Sequence, residues 1–125
     1  MIILGDDLVP YENISFISNI DEIQNTKANS TLIFFYKEEL LVYCSNNELP
    51  FAVIVCSLLE AIYSNSLGAK YIISEKDLAK EIQKIAENYI YDAKILALVE
   101  SNNEFEQISK DEIDGVIYKN LIQNY

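Results

Sequence analysis

The stretch Leu49–Ser74, LPFAVIVCSLLEAIYSNSLGAKYIIS, constrains the chain more than any other, because it spells a strand, a helix and a second strand in succession. Ala52–Cys56 is an unbroken apolar run rich in β-branched side chains, as expected of a strand covered on both faces, the setting of a parallel sheet. Pro50 closes whatever precedes it. Ser57 stands three residues before Glu60, the spacing at which a hydroxyl accepts a free helix N–H while the carboxylate reaches back to the cap's own N–H. Leu58, Leu59, Ile62, Tyr63 and Leu67 then fall on one helical stripe, with Glu60, Ser64 and Ser66 off it, so that stripe is predicted to face the core. Gly68 supplies a left-handed stop, and Tyr71–Ile73 begins the next strand. A strand, helix and parallel strand joined in this way almost always cross over right-handed.

The rest of the chain repeats this grammar. Ile2–Leu4 reads as a first strand ended by Gly5-Asp6-Asp7. Pro10 and Asn13 punctuate a loop, Ile14–Ile17 reads as a short edge strand, and Asn19 with Glu22 caps a brief helix ending near Thr26. A connection from Gly5 to Asn13 is too short for a parallel crossover of ten or more residues, so the first two strands are not expected to be simple parallel neighbours. Thr31–Tyr36 is a strand rich in aromatic and β-branched residues, and Lys37–Asn47 a helix with Leu40, Leu41 and Cys44 inward. Ser74 and Asp77 repeat the capping spacing ahead of a helix to about Tyr91, with Leu78, Ile82, Ile85 and Tyr89 on its apolar stripe. Ile95–Val99 is a strand, Ser101 with Glu104 a further capping box, Phe105 and Ile108 a buried stripe, and Val116–Tyr118 a last strand behind Gly115.

The clear strands recur every 19 to 24 residues, with no copied motif beneath the repeat. Two architectures share this grammar, an open doubly wound sheet and part of a (β/α)8 barrel. A closed barrel takes about 250 residues, so a lone chain of 125 is expected to stay open unless two copies join. Leu49–Ile73 resembles the strand–helix units of small phosphate-binding aldolase barrels. That resemblance covers a fifth of the chain and rests on packing residues, so it implies an element and no activity. The expectation is a single α/β domain over residues 1–125, with a three-layer, mainly parallel open sheet of five or six strands, flavodoxin-like or Rossmann-like, and helices on both faces.

Charge narrows the partners. Nine basic residues, all lysine, stand against twenty acids, for a net −11. Without arginine the chain lacks the rigid fork that grips phosphate, and its field repels nucleic acid and anionic lipid, so neither nucleic acid nor membrane is an expected partner. The longest apolar run is far below the ~18 residues of a membrane span. The opening MIILGDD has no basic signal-peptide start, which makes the cytoplasm the expected compartment, and Cys44 and Cys56 are expected as reduced thiols.

Open parallel sheets place ligands beyond the C-terminal ends of their strands. There the sequence puts Asp6 and Asp7, Glu38 and Glu39, Cys56, Glu75, Glu100 and Lys119. Asp6, Asp7, Glu38 and Glu75, with Glu100, form a candidate oxygen-rich cluster for Mg²⁺ or another hard cation; acids in the first turn of a helix also answer to its dipole. An Asp pair after a first strand resembles bacterial receiver domains, but no long helix follows Asp7, Cys56 ends the strand where the resemblance implies a phospho-accepting Asp, and Glu100 stands where it implies a Lys. Cys56, at a strand end ahead of a capped helix, is placed to be a nucleophile, yet the chain has no histidine to serve it, and a small buried hydrophobe is the plainer expectation. Lys37 or Lys119 as a Schiff-base amine would need a depressed pKa, which acidic surroundings oppose. Ser57, Ser74 and Ser101 read as caps.

No residue pattern specifies an activity. The preferred expectation is a non-catalytic binding or regulatory module for a protein partner or small ligand, with no cofactor beyond a possible Mg²⁺. The alternatives are a small metal-assisted or lyase-type enzyme at the strand edge, or a degenerate receiver-like domain. Leu121, Ile122 and Tyr125 on the final turn suggest either a two-fold homodimer or a tail folded back on its own sheet.

Overall fold

The computed structural model describes residues 1–123. Seven strands, β1 (Ile2–Leu4), β2 (Ile14–Phe16), β3 (Thr31–Phe35), β4 (Phe51–Ile54), β5 (Tyr71–Ser74), β6 (Lys94–Val99) and β7 (Gly115–Tyr118), form one sheet in the order β1-β7-β6-β5-β4-β3-β2. Every pairing is parallel. The open parallel α/β sheet is as expected, with seven strands rather than five or six. The three-residue edge strands β1 and β2, read from the sequence as a first strand and a short edge strand, both belong to the sheet and bring the count to seven. Strands β2 to β7 lie side by side in chain order. β1 sits at the far edge beside β7, so the nine-residue connection that forbids a crossover joins opposite edges of the sheet.

Laid flat, six gaps of about 4.8 Å would hold β1 and β2 about 29 Å apart. Yet Ile2 and Leu4 join the same apolar cluster as Ile14 and Phe16, and Ile14–Ile17 line one cleft together with Leu121 and Gln123. The sheet therefore curls, bringing its edges toward each other without pairing them.

Helices α1 (Glu38–Asn46), α2 (Leu58–Ser66), α3 (Lys76–Tyr89) and α4 (Phe105–Lys110) connect the strands. Their buried side chains, among them Leu40, Ala61, Ile82 and Ile108, pack with alternate strand residues such as Phe34, Val53, Ile72 and Val99 in one cluster. The opposite face, carrying Ile33, Ile54, Ile73, Leu96 and Ile117, is closed by the curl itself and by Leu121 and Ile122 of the 3₁₀ turn Lys119–Leu121 and its cap. Helical segments thus lie on both faces, very unequally. Ile122 is buried and Leu121 half-buried against this face, so this part of the tail folds back on its own sheet; Tyr125 lies outside the described residues.

Caps follow the sequence in part. Asn19 caps the 3₁₀ turn Ile20–Asn25 by accepting the Glu22 N–H, and Ser101 with Glu104 makes a full capping box. Ser74 does not cap α3. It ends β5, where its hydroxyl donates to the Glu75 carbonyl, and Glu75 takes the N-cap position. Gly68 has φ +94°, as its stop role requires. No buried side-chain polar atom among the described residues lacks a partner. Gln83, buried on α3, accepts the Asp114 N–H, and Asp114 in turn accepts that of Ile95, tying α3 to the entries of β6 and β7.

Candidate functional site

The C-terminal strand edge does not gather the predicted acids. Among the described residues no group of three or more metal-capable side chains converges. Asp6 accepts from the Tyr118 hydroxyl at 2.7 Å and from the Leu8 N–H at 2.8 Å. These bonds hold its carboxyl below the ordinary range and push the Tyr118 phenol up to about 12. Asp7 is exposed beside it. Glu38 lies in the first turn of α1, five strand positions from β1. Glu75 and Glu100, at the ends of β5 and β6, both approach Lys119 Nζ, at 3.6 and 3.5 Å. Both carboxylates are more than half exposed, and ion pairs so wet contribute about 0–1 kcal/mol each. What converges at this edge is acid on lysine.

Cys56 is exposed and Cys44 is the buried thiol, the reverse of the sequence expectation for Cys56. β4 ends at Ile54 and only Val55 continues the buried run, leaving Cys56 in the turn before α2. There its N–H donates to the Glu60 carboxylate, while Ser57 Oγ accepts the Glu60 N–H. The reach-back therefore falls one residue before the cap.

Helix α2 carries the largest departure. Its buried residues are Ala61 and Ser64. Ser64 satisfies its hydroxyl on the Glu60 carbonyl, and the adjoining Asn65 side chain accepts the Ala93 N–H. These small or internally bonded groups let the helix lie close to the sheet. Four of the five large residues in the stripe predicted to face the core point outward instead: Leu59 is 61%, Tyr63 51%, Ile62 43% and Leu58 36% exposed, while Leu67 packs half-buried against the core. On α1, Val42 is 48% exposed. The two helices meet in a groove of about 280 Å³ lined by Tyr36, Glu38, Leu41, Val42, Tyr63 and Leu67. Exposed large apolar side chains grouped on neighbouring helices are the kind of surface that marks an interaction site.

A further polar centre lies at the N-terminal strand edge. Glu12 accepts from Thr31 Oγ1 at 2.6 Å, Lys70 Nζ at 2.6 Å and Tyr71 OH at 2.5 Å. Nothing local marked Glu12, because its partners lie 19 to 59 residues away. Every donor it meets is matched by its own two oxygens, so this centre ties the β1–β2 connection to β3 and β5.

No protein-family model and no curated protein matches the chain.

Proposed function

We propose that the protein is a non-catalytic binding module that engages a protein partner through the outer face of α1 and α2. The observation that carries this reading is the inverted helix α2. A helix whose small residues pack inward while Leu58, Leu59, Ile62 and Tyr63 face water exposes apolar area that folding of the chain alone leaves uncovered. Aromatic side chains beside a groove, here Tyr36 and Tyr63, are of the kind enriched in interface cores. The strand edge supports an enzyme less well, since its convergent groups are a lysine flanked by acids. A receiver-like role loses its footing because a receiver's first strand lies inside its sheet, whereas β1 lies at the edge.

Photo-crosslinking tests the reading. A crosslinking residue at position 59, introduced in cells that naturally make the protein, is expected to trap a discrete protein adduct that the same residue at position 87, exposed on α3, does not. Absence of an adduct at 59, or the same adducts from both positions, would count against the α1–α2 face.

A further inference from the structure

We infer that the partner presents an amphipathic helix whose apolar side enters the α1–α2 groove and whose flanks carry lysine or arginine. This inference rests on the α1–α2 face being the contact surface and adds the chemistry of what it contacts.

Shape gives the first half. Two helices with a groove between them, lined mainly by apolar side chains and bordered on α2 by Tyr63 with the exposed Leu59 one turn before it, offer the surface into which an amphipathic helix lays residues spaced i, i+3, i+4 and i+7. Charge gives the second. Helices α1 and α2 contain Glu38, Glu39 and Glu60 and no basic residue. Lys37, just before α1, turns its ammonium toward the Ser18 carbonyl. Glu38 lines the groove itself, and with Glu60 it lies near enough to the Tyr36 phenol to add to the upward push that burial exerts on it. An apolar strip rimmed by carboxylates, on a body of net charge −11, favours cations at its edges and speeds their approach. A second copy of this chain is the wrong occupant on the same ground. A two-fold contact through this face would set Glu38 and Glu39 among their own copies, with no cation on either helix to meet them.

The test is a displayed library of helical peptides, apolar at i, i+3, i+4 and i+7 and random elsewhere, selected on the full chain. Selected peptides are expected to carry more lysine and arginine than acid. A synthetic representative should bind the Leu59→Ser/Ile62→Ser variant at least tenfold more weakly and the Glu38→Gln/Glu39→Gln variant several-fold more weakly. The Glu87→Gln/Glu106→Gln variant, with the same net charge but its changes on α3 and α4, should bind unchanged. Thermal unfolding of each variant confirms that it is folded, and Leu59→Gln/Ile62→Gln serves if the serine pair is not. Equal weakening by both glutamine pairs would overturn the inference, since attraction would then be to the whole acidic body. Neutral or acidic selected peptides that still lose binding in the Leu59/Ile62 variant would overturn the basic partner and leave the face standing. Binding indifferent to Leu59 and Ile62 would overturn both. Sedimentation showing a dimer dissolved by Leu59→Ser/Ile62→Ser would make a second copy the occupant and also overturn the inference.

Discussion

Glu12 shows how one side chain can be held by opposed effects of unequal size. Burial by itself would raise its carboxyl, but hydrogen bonds from Lys70, Thr31 and Tyr71 outweigh that and hold it below its ordinary 4.5. A carboxyl depressed in the folded state stabilises the fold fully above its unfolded value, and that stabilisation is lost as pH falls through the folded value. Glu12→Gln, which mimics the protonated form, is therefore expected to cost about 1–3 kcal/mol at neutral pH, the difference from wild type shrinking below pH 4.5. Urea unfolding of both proteins at pH 7 and in mild acid measures it; an undiminished difference in acid would show that the ionised carboxylate is not the source. The two thiols make a second contrast. Cys44 is fully buried, and that burial pushes its thiol up to about 11, whereas Cys56 is exposed. In native buffer a small thiol reagent should modify Cys56 alone, and Cys44 only once the chain unfolds. Two fast equivalents, or none, found by mass spectrometry would contradict this placement.

Between elements, Gly115 is where β7 leaves no room for a side chain beside β1. A Cβ at Gly115 would lie 2.3 Å from the Ile2 carbonyl oxygen, and because that atom is backbone it cannot step aside as a side chain would. β1 has only three residues and pairs with β7 alone. Gly115→Ala is thus expected to cost about 2–3 kcal/mol and to act locally. Hydrogen exchange should show the Ile2 amide, bonded to the Asp114 carbonyl, losing protection while β3–β5 amides keep theirs. Uniform loss across the sheet would mean that β1 is integral to the whole. Helix α2 makes the complementary point. The same stripe of large apolar residues that promises a buried face can be the exposed one when small residues on the other side permit closer packing, and this inversion is what motivates the partner surface.

At the scale of the whole molecule, repulsion competes with pairing. Lys70, Lys76, Lys80 and Lys119 make ion pairs with carboxylates, all but Lys119 about half exposed, and such pairs are worth about 0–1 kcal/mol each. Against them stands a net charge of −11 on 125 residues. Salt screens both, shortening the Debye length from about 10 Å at 0.1 M to about 3 Å at 1 M, and the unpaired excess is the larger quantity. The urea midpoint of the isolated protein is expected to rise with added sodium chloride, by the equivalent of roughly 1 kcal/mol. A midpoint that falls with salt would mean that the lysine pairs outweigh the acidic excess.

The sequence by itself determined which segments are strands and which are helices from Thr31 onward, the buried side of α1, the capping of the Ile20–Asn25 turn and the Ser101 box, and the parallel α/β class. All of these are local. Continuous apolar runs, the helical period and cap spacings act within a turn or a strand, and connection lengths set whether neighbours can be parallel. The short connection after β1 even excluded β2 as its simple parallel neighbour. Tertiary structure alone decided that β1 pairs with β7, that the sheet curls until residues of both edge strands join one apolar cluster, that Glu12 meets donors from β3 and β5, that Asp6 meets Tyr118, and that α2 turns most of its large side chains to water. Each of these joins groups far apart in the chain or depends on how near one backbone lies to another. A residue's own spacing carries no record of that distance, because which face of a helix is covered is settled by what it can approach most closely.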